Sequence, residues 1–179
     1  MRGYIEADLA GHNRGGRSRH NPRHSSSRRR RRRHRARTRD GGQTWAFVSF
    51  IGPEPAGYAI MPSTVRTGKN ALVTTVRRLE EGPPKRTWIE AWKSSDDGTS
   101  WAPLPDPVAD TGEGNPPDLI RLKDGRLCLT YGVRAKPFGM FARISANDGQ
   151  SWSEPIVLRN DGGGRDVGYP RSVQRPDGR

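Results

Sequence analysis

Three octets in the chain share one form. Thr38-Arg39-Asp40-Gly41-Gly42-Gln43-Thr44-Trp45, Ser94-Ser95-Asp96-Asp97-Gly98-Thr99-Ser100-Trp101 and Ser145-Ala146-Asn147-Asp148-Gly149-Gln150-Ser151-Trp152 all read Ser/Thr-x-Asp/Asn-x-Gly-x-Thr/Ser-Trp, with their glycines 56 and 51 residues apart. Each position has a physical reason. Asp or Asn folds its side chain onto backbone N–H groups of a turn, and Gly takes the positive φ that other residues resist. Thr or Ser adds a hydroxyl hydrogen bond, and Trp covers the turn from the strand that follows. A near-constant period of this size marks a repeat architecture, whose units bury their apolar faces by stacking on one another.

A second repeat runs in phase with the first. Pro62-Ser63-Thr64-Val65-Arg66, Pro117-Asp118-Leu119-Ile120-Arg121 and Pro170-Arg171-Ser172-Val173-Gln174 begin 55 and 53 residues apart, and the last two continue into Asp124-Gly125-Arg126 and Asp177-Gly178-Arg179. An Asp-Gly between β-prone runs is a hairpin signal, so these phrases read as first strands. Ala71 to Val76 and Leu127 to Tyr131 read as second strands, Thr87 to Trp92 and Gly139 to Ile144 as third strands, and Ala46 to Phe50 and Glu154 to Leu158 as fourth strands. Four strands per unit of about 53 residues is the arithmetic of a propeller blade. The expected fold is therefore all-β: a partial β-propeller with the end of one blade, two whole blades (Tyr58 to Val108 and Asn115 to Leu158) and the opening hairpin of another.

Charge separates the N-terminal end from the rest. Met1 to Arg39 holds 14 Arg against Glu6 and Asp8, whereas Asp40 to Arg179 holds 18 basic and 17 acidic residues, so the formal net charge of +13 belongs to the tail. Residues 1–37, with the unbroken run Arg28 to Arg33, lack the apolar surface that would offset ordering and are expected to be a disordered, basic, low-complexity tail. Residues 38–179 form the propeller segment. Nucleic-acid binding by the tail is the weaker reading, because no aromatics are interleaved for base stacking and no recognition module is present.

Several function classes fall away. All four histidines lie at or before His34, which removes a Ser-His-Asp triad and a His-ligated metal site from residues 38–179; neither metal nor cofactor is expected. The single cysteine, Cys128, excludes an intrachain disulfide. No run approaches the roughly 20 apolar residues of a membrane span, and the first ten residues are not a signal peptide because Glu6 and Asp8 interrupt the place of an apolar core. Localisation stays open.

The octets resemble the Asp boxes (BNR repeats) of the sialidase superfamily, and Gly114-Asn115-Pro116-Pro117, Asp124-Gly125-Arg126-Leu127 and Gly168-Tyr169-Pro170-Arg171 resemble its blade openings. The resemblance covers Thr38 to Arg179. It implies a six-bladed ring of which this chain holds about half at most, and it makes the boxes structural turns away from the active side. Asp40, Gly42, Trp45, Asp96, Gly98, Trp101, Asn147, Gly149 and Trp152 are thus assigned to blade stability.

By the same resemblance, ligands meet the loops from strand four to the next strand one and from strand two to strand three. Those loops supply Glu113, Asp166 and Tyr169 as candidate catalytic residues and Arg77 and Arg134 as candidate substrate-binding residues, with Arg171 just inside the next strand. Arginines can fork onto a carboxylate, and carboxylates can act as acid and base. The resemblance implies an exo-α-sialidase type of glycoside hydrolase acting on a sialoside-like carbohydrate, inactive as this piece alone. The alternative is a non-catalytic glycan-binding propeller. Two departures weigh on the enzyme reading: an Arg-Ile-Pro motif is absent, and Asn115-Pro116-Pro117 stands where many bacterial sialidases have Asn-Glu-Pro.

Overall fold

Alternating β-branched and aromatic runs become strands, and the box turns reverse them. The computed structural model describes residues 33–178. Among these, β1 (His34–Arg37) and β2 (Ala46–Phe50) form a two-stranded sheet. A four-stranded antiparallel sheet follows, ordered β3 (Tyr58–Arg66), β4 (Leu72–Glu80), β5 (Arg86–Ser94) and β6 (Ala102–Val108). The next is built alike from β7 (Asp118–Arg121), β8 (Leu127–Val133), β9 (Gly139–Ser145) and β10 (Ile156–Arg159). These are the two whole blades of a partial β-propeller.

The blades adhere face to face. Val73, Ile89, Ala91, Leu104 and Val108 of the first pack against Leu119, Leu127, Leu129 and Tyr131 of the second, with Ile89, Leu127 and Leu129 wholly buried. Period-two alternation makes this possible: Ile89 and Ala91 look to the second blade, while Trp88, Glu90 and Trp92 take the other side. A second bond recurs with the repeat. The Leu119 N–H donates to Ser63 Oγ (2.9 Å), and the Ser172 N–H donates to Asp118 Oδ2. Ser63 and Asp118 both follow the phrase proline, so one register stitches each first strand to the opening phrase of the next repeat.

The boxes close the β1–β2, β5–β6 and β9–β10 hairpins. In each, the leading hydroxyl accepts the glycine N–H: Thr38 from Gly42, Ser94 from Gly98 and Ser145 from Gly149, all at 2.8 Å. Asp40, Asp96 and Asn147 then accept the N–H of Thr44, Ser100 and Ser151, each at 2.9 Å. Two left-handed residues in succession are needed, Asp97 (φ 58°) before Gly98 (φ 76°) and Asp148 (φ 54°) before Gly149 (φ 85°). The Trp45 indole N–H donates to the Gly42 carbonyl (3.1 Å), whereas that of Trp101 reaches back to Ser49 Oγ (3.1 Å).

The expectation of an irregular chain to about Arg37 is corrected at its end, where β1 occupies His34–Arg37. Alternation explains the strand. Arg33, Arg35 and Arg37 point to one side, where Arg33 pairs with Glu90 and Arg37 with Asp97 (2.6 Å). Asp97 also holds Arg66 (2.7 Å), and its backbone carbonyl accepts from Arg35 and Arg37. Burial raises the Asp97 pKa, but the Arg66 hydrogen bond and the charges of Arg37, Arg66 and Arg35 outweigh it and hold the carboxyl below its ordinary value. Residues 1–32 of the expected tail lie outside the described residues.

A second correction concerns the opening strand at Pro170 to Gln174, where no strand is present. A strand needs a ladder, and among the described residues no strand pairs with this segment; the Ser172 N–H goes to Asp118, and Gln174 Oε1 accepts from the Lys123 N–H (2.8 Å). The box Trp152 and Trp101 are half-buried, and the carboxylates of Asp40 and Asp96 are exposed.

Two predictions follow from this packing. Leu129→Ala should cost about 2–5 kcal/mol, read as a lower urea midpoint at unchanged m-value. The second is a pH test. The Ser100 hydroxyl and N–H and the Ser94 hydroxyl pull Asp96 from 3.8 to about 2, and the Thr44 hydroxyl and N–H hold Asp40 still lower. A depressed folded-state pKa contributes stability above the unfolded value that is lost as pH falls through the folded one. Asp40→Asn with Asp96→Asn should therefore flatten the acid limb below 3.8, because the Asn147 turn has the same geometry and no proton to gain. Urea midpoints across a pH series check this; an unchanged acid limb would remove the boxes from acid sensitivity.

Candidate functional site

Antiparallel order puts the boxes, with the β3–β4 and β7–β8 turns, at one end and the other connections at the opposite end. Residues 51–57, 81–85, 109–117, 134–138 and 160–170 gather there. Backbone bonds lock them together: the Thr111 N–H donates to the Thr87 carbonyl (3.0 Å), and the Arg134 N–H to the Thr111 carbonyl (2.9 Å). Fully buried Asn115 donates through Nδ2 to the Gly168 carbonyl (3.1 Å), joining the loops before and after the second blade. Gly132 is required beneath it, because a Cβ there would stand 2.2 Å from Asn115 Nδ2.

Three candidate residues meet. Arg134, at the end of β8, stacks over the Tyr169 ring (5.7 Å to its centroid) and pairs with Asp166 (3.5 Å). Glu113 sits on the neighbouring loop, paired with Arg165. Arg77, on β4 opposite Ile60, covers the Tyr58 ring (5.4 Å) and approaches Met61 Sδ (3.9 Å). Arg171 lies outside any strand, highly exposed, with Asp118 3.5 Å away.

The phrase proline supplies a coordinate for these loops. Four residues before it stand Tyr58, Glu113 and Asp166 in successive repeats, and one residue before it stand Met61, Pro116 and Tyr169. Those last three, with Pro117 and Arg171, line one hollow of about 580 Å³ along β3. Met61 has φ 54°, at the point where the β3–β4 register shifts between Ile60 and Ser63. For a non-glycine residue this is a strained conformation of about 1–3 kcal/mol, of the kind that collects at functional positions. Reading the sequence for charged loop residues passed over Met61; its phase with Tyr169 is the signal that finds it.

The loop end can offer stacking faces from Tyr58 and Tyr169, guanidinium donors, and the carboxylates of Glu113 and Asp166. A further carboxylate, Asp106 at β6, is raised by burial and then by the charge of Glu90. Glu90 is itself held by Arg33 and Arg78 (3.2 Å) on the side of the blade that faces β1. Among the described residues, no group of His, Cys, Asp and Glu has the makings of a metal site, and no helix is long and apolar enough to cross a membrane.

Residues 20–179 match the BNR repeat-like domain. No curated protein matches the chain. Among solved structures, a protein of unknown function from Dyadobacter fermentans is 29% identical over 79% of this chain and 37% of its own, with a TM-score of 0.61. An α-L-arabinanase of Penicillium chrysogenum, solved with arabinobiose, is 21% identical over 78% of this chain and 42% of its own (TM-score 0.56). An α-L-arabinofuranosidase of Fusarium graminearum is 18% identical over 70% and 40% (TM-score 0.54). The chain spans less than half the length of each of these proteins, and the last two likenesses are likenesses of fold.

Asn115→Ala should test the loop frame. Removing the amide leaves the Gly168 carbonyl without its donor, at a cost of about 1–3 kcal/mol, and amide exchange should quicken in residues 160–170 while the β5 amides keep their protection. Uniform quickening across both regions would mean that Asn115 acts on the whole sheet stack instead.

Proposed function

Since the chain belongs to the BNR repeat-like domain family, we propose that its loop end is the glycan-recognising surface of a glycoside hydrolase of sialidase-superfamily type. The observation that carries this reading is the meeting of Arg134 with Asp166 and Tyr169 beside the hollow along β3. An aromatic face that opens on a concavity, with fixed donors and carboxylates at its edge, is what a polyhydroxylated ligand needs for stacking and orientation. That an α-L-arabinanase and an α-L-arabinofuranosidase share the fold agrees with this reading.

The narrower form is exo-α-sialidase activity. Glu113, Asp166 and Tyr169 would then supply the reacting groups, and Arg77, Arg134 and Arg171 would hold the substrate carboxylate. The second reading, a non-catalytic glycan-binding propeller, is favoured by Pro116, which puts an inert ring at a blade-opening position where a carboxylate would serve catalysis. Turnover of fluorogenic sialosides and arabinofuranosides, measured beside binding of the same glycans, separates the two. Binding without turnover favours the second reading.

Tyr169 is the most exposed ring of the hollow. Tyr169→Ala should weaken glycan binding about two- to tenfold, the loss of one aromatic stacking contact of about 0.5–1.5 kcal/mol, and leave the urea midpoint unchanged. Unchanged affinity would remove the hollow from the binding surface.

A further inference from the structure

The arginines of the loop end are met by acids in nearly equal number. Residues 51–60, 77–86, 106–115, 132–138 and 160–169, together with Asp118 and Arg171, contain eight basic side chains and nine acidic ones, in a chain whose net charge is +13. The balance is also local. Arg134 is on Asp166, Arg165 on Glu113, and Arg171 on Asp118. Arg77 lies over the Tyr58 ring. Three of these four partners, Tyr58, Glu113 and Asp166, occupy the one loop position four residues before the phrase proline. The repeat thus places, blade after blade, a group that engages an arginine.

A sugar carboxylate entering this surface would have to displace Asp166 or Glu113 from a guanidinium, or lie beside them at the cost of like-charge repulsion. A neutral sugar meets no such opposition. Its hydroxyls can use the outward lone pairs of Glu113 and Asp166, and its C–H faces can lie on the exposed surfaces of Tyr169 and Met61, 55% and 42% accessible.

Resting on the glycan reading of this same surface, we infer that the ligand class is a neutral oligosaccharide and that Glu113 and Asp166 are specificity-determining residues acting against carboxylate-bearing sugars. This is discrimination by a repulsive element placed beside the attractive one.

The test is a glycan array carrying neutral pentose and hexose oligosaccharides alongside sialylated and uronic-acid ones, followed by titration of the best binder from each set. The chain should bind a neutral glycan at least about tenfold more tightly than any anionic one. Glu113→Gln with Asp166→Asn unmasks Arg165 and Arg134, and should raise affinity for sialylated glycans about tenfold or more, since a hydrogen bond to a charged group is worth about 1.5–3 kcal/mol. That gain should shrink as salt is added. Tighter binding of an anionic glycan by the unaltered chain, or no anionic gain in the double variant, overturns the inference and leaves the glycan reading standing. Binding of no glycan by either protein overturns both.

Discussion

The face-to-face burial between adjacent blades is the constraint on which the molecule depends. A four-stranded sheet with two apolar faces cannot stand alone in water, so β3–β6 is stable only because Ile89, Ala91 and Leu104 find Leu127, Leu129 and Tyr131 across the gap. Burying side chains of this kind is worth about 1.5–3 kcal/mol each. Everything else serves to hold that register. The first-strand bonds at Ser63 and Asp118 fix how far one blade slides along the next, and the boxes fix the hairpins that carry the third and fourth strands.

The sheet pair before it is joined by different means. Arginines at alternate positions from Arg33 to Arg37 reach Glu90 and Asp97, so charge takes the place that aliphatic packing holds one blade further on. Such ion pairs are sensitive to geometry and gain less per contact than packed aliphatics do. The density of hydrogen bonds on Asp97, from Arg35, Arg37 and Arg66, compensates by spreading one carboxylate and one carbonyl over three donors.

Much of this was legible in the sequence because the repeat states it twice. The octets mark the hairpin turns, and strands such as Ala46–Phe50 and Leu127–Val133 follow from them by phase and β propensity. Where a single principle had to decide, the reading went astray. Residues 33–37 look like more of an arginine run, and only the acids opposite them in space, Glu90 and Asp97, make the alternation a strand. Pro170 to Gln174 repeats the opening phrase faithfully, yet among the described residues no strand pairs with it. At the loop end, residue types pointed to Arg134, Asp166 and Tyr169, but Met61 carries neither charge nor ring and shows itself through repeat phase and backbone strain.

The placement of the boxes at one end and the chemistry at the other has a consequence for how such a chain can change. Apart from Trp101, which lines the same hollow as Tyr169, the box residues and the loop residues that would meet a ligand stand at opposite ends of the strands, so their substitution energies should add with little interaction. The position held by Tyr58, Glu113 and Asp166 is presented by a backbone that other residues have already fixed. Aromatic, longer acid and shorter acid stand there in three successive repeats without disturbing the sheets beneath. A fold arranged in this way can revise what it recognises one blade at a time, as a keyboard admits new letters without new keys.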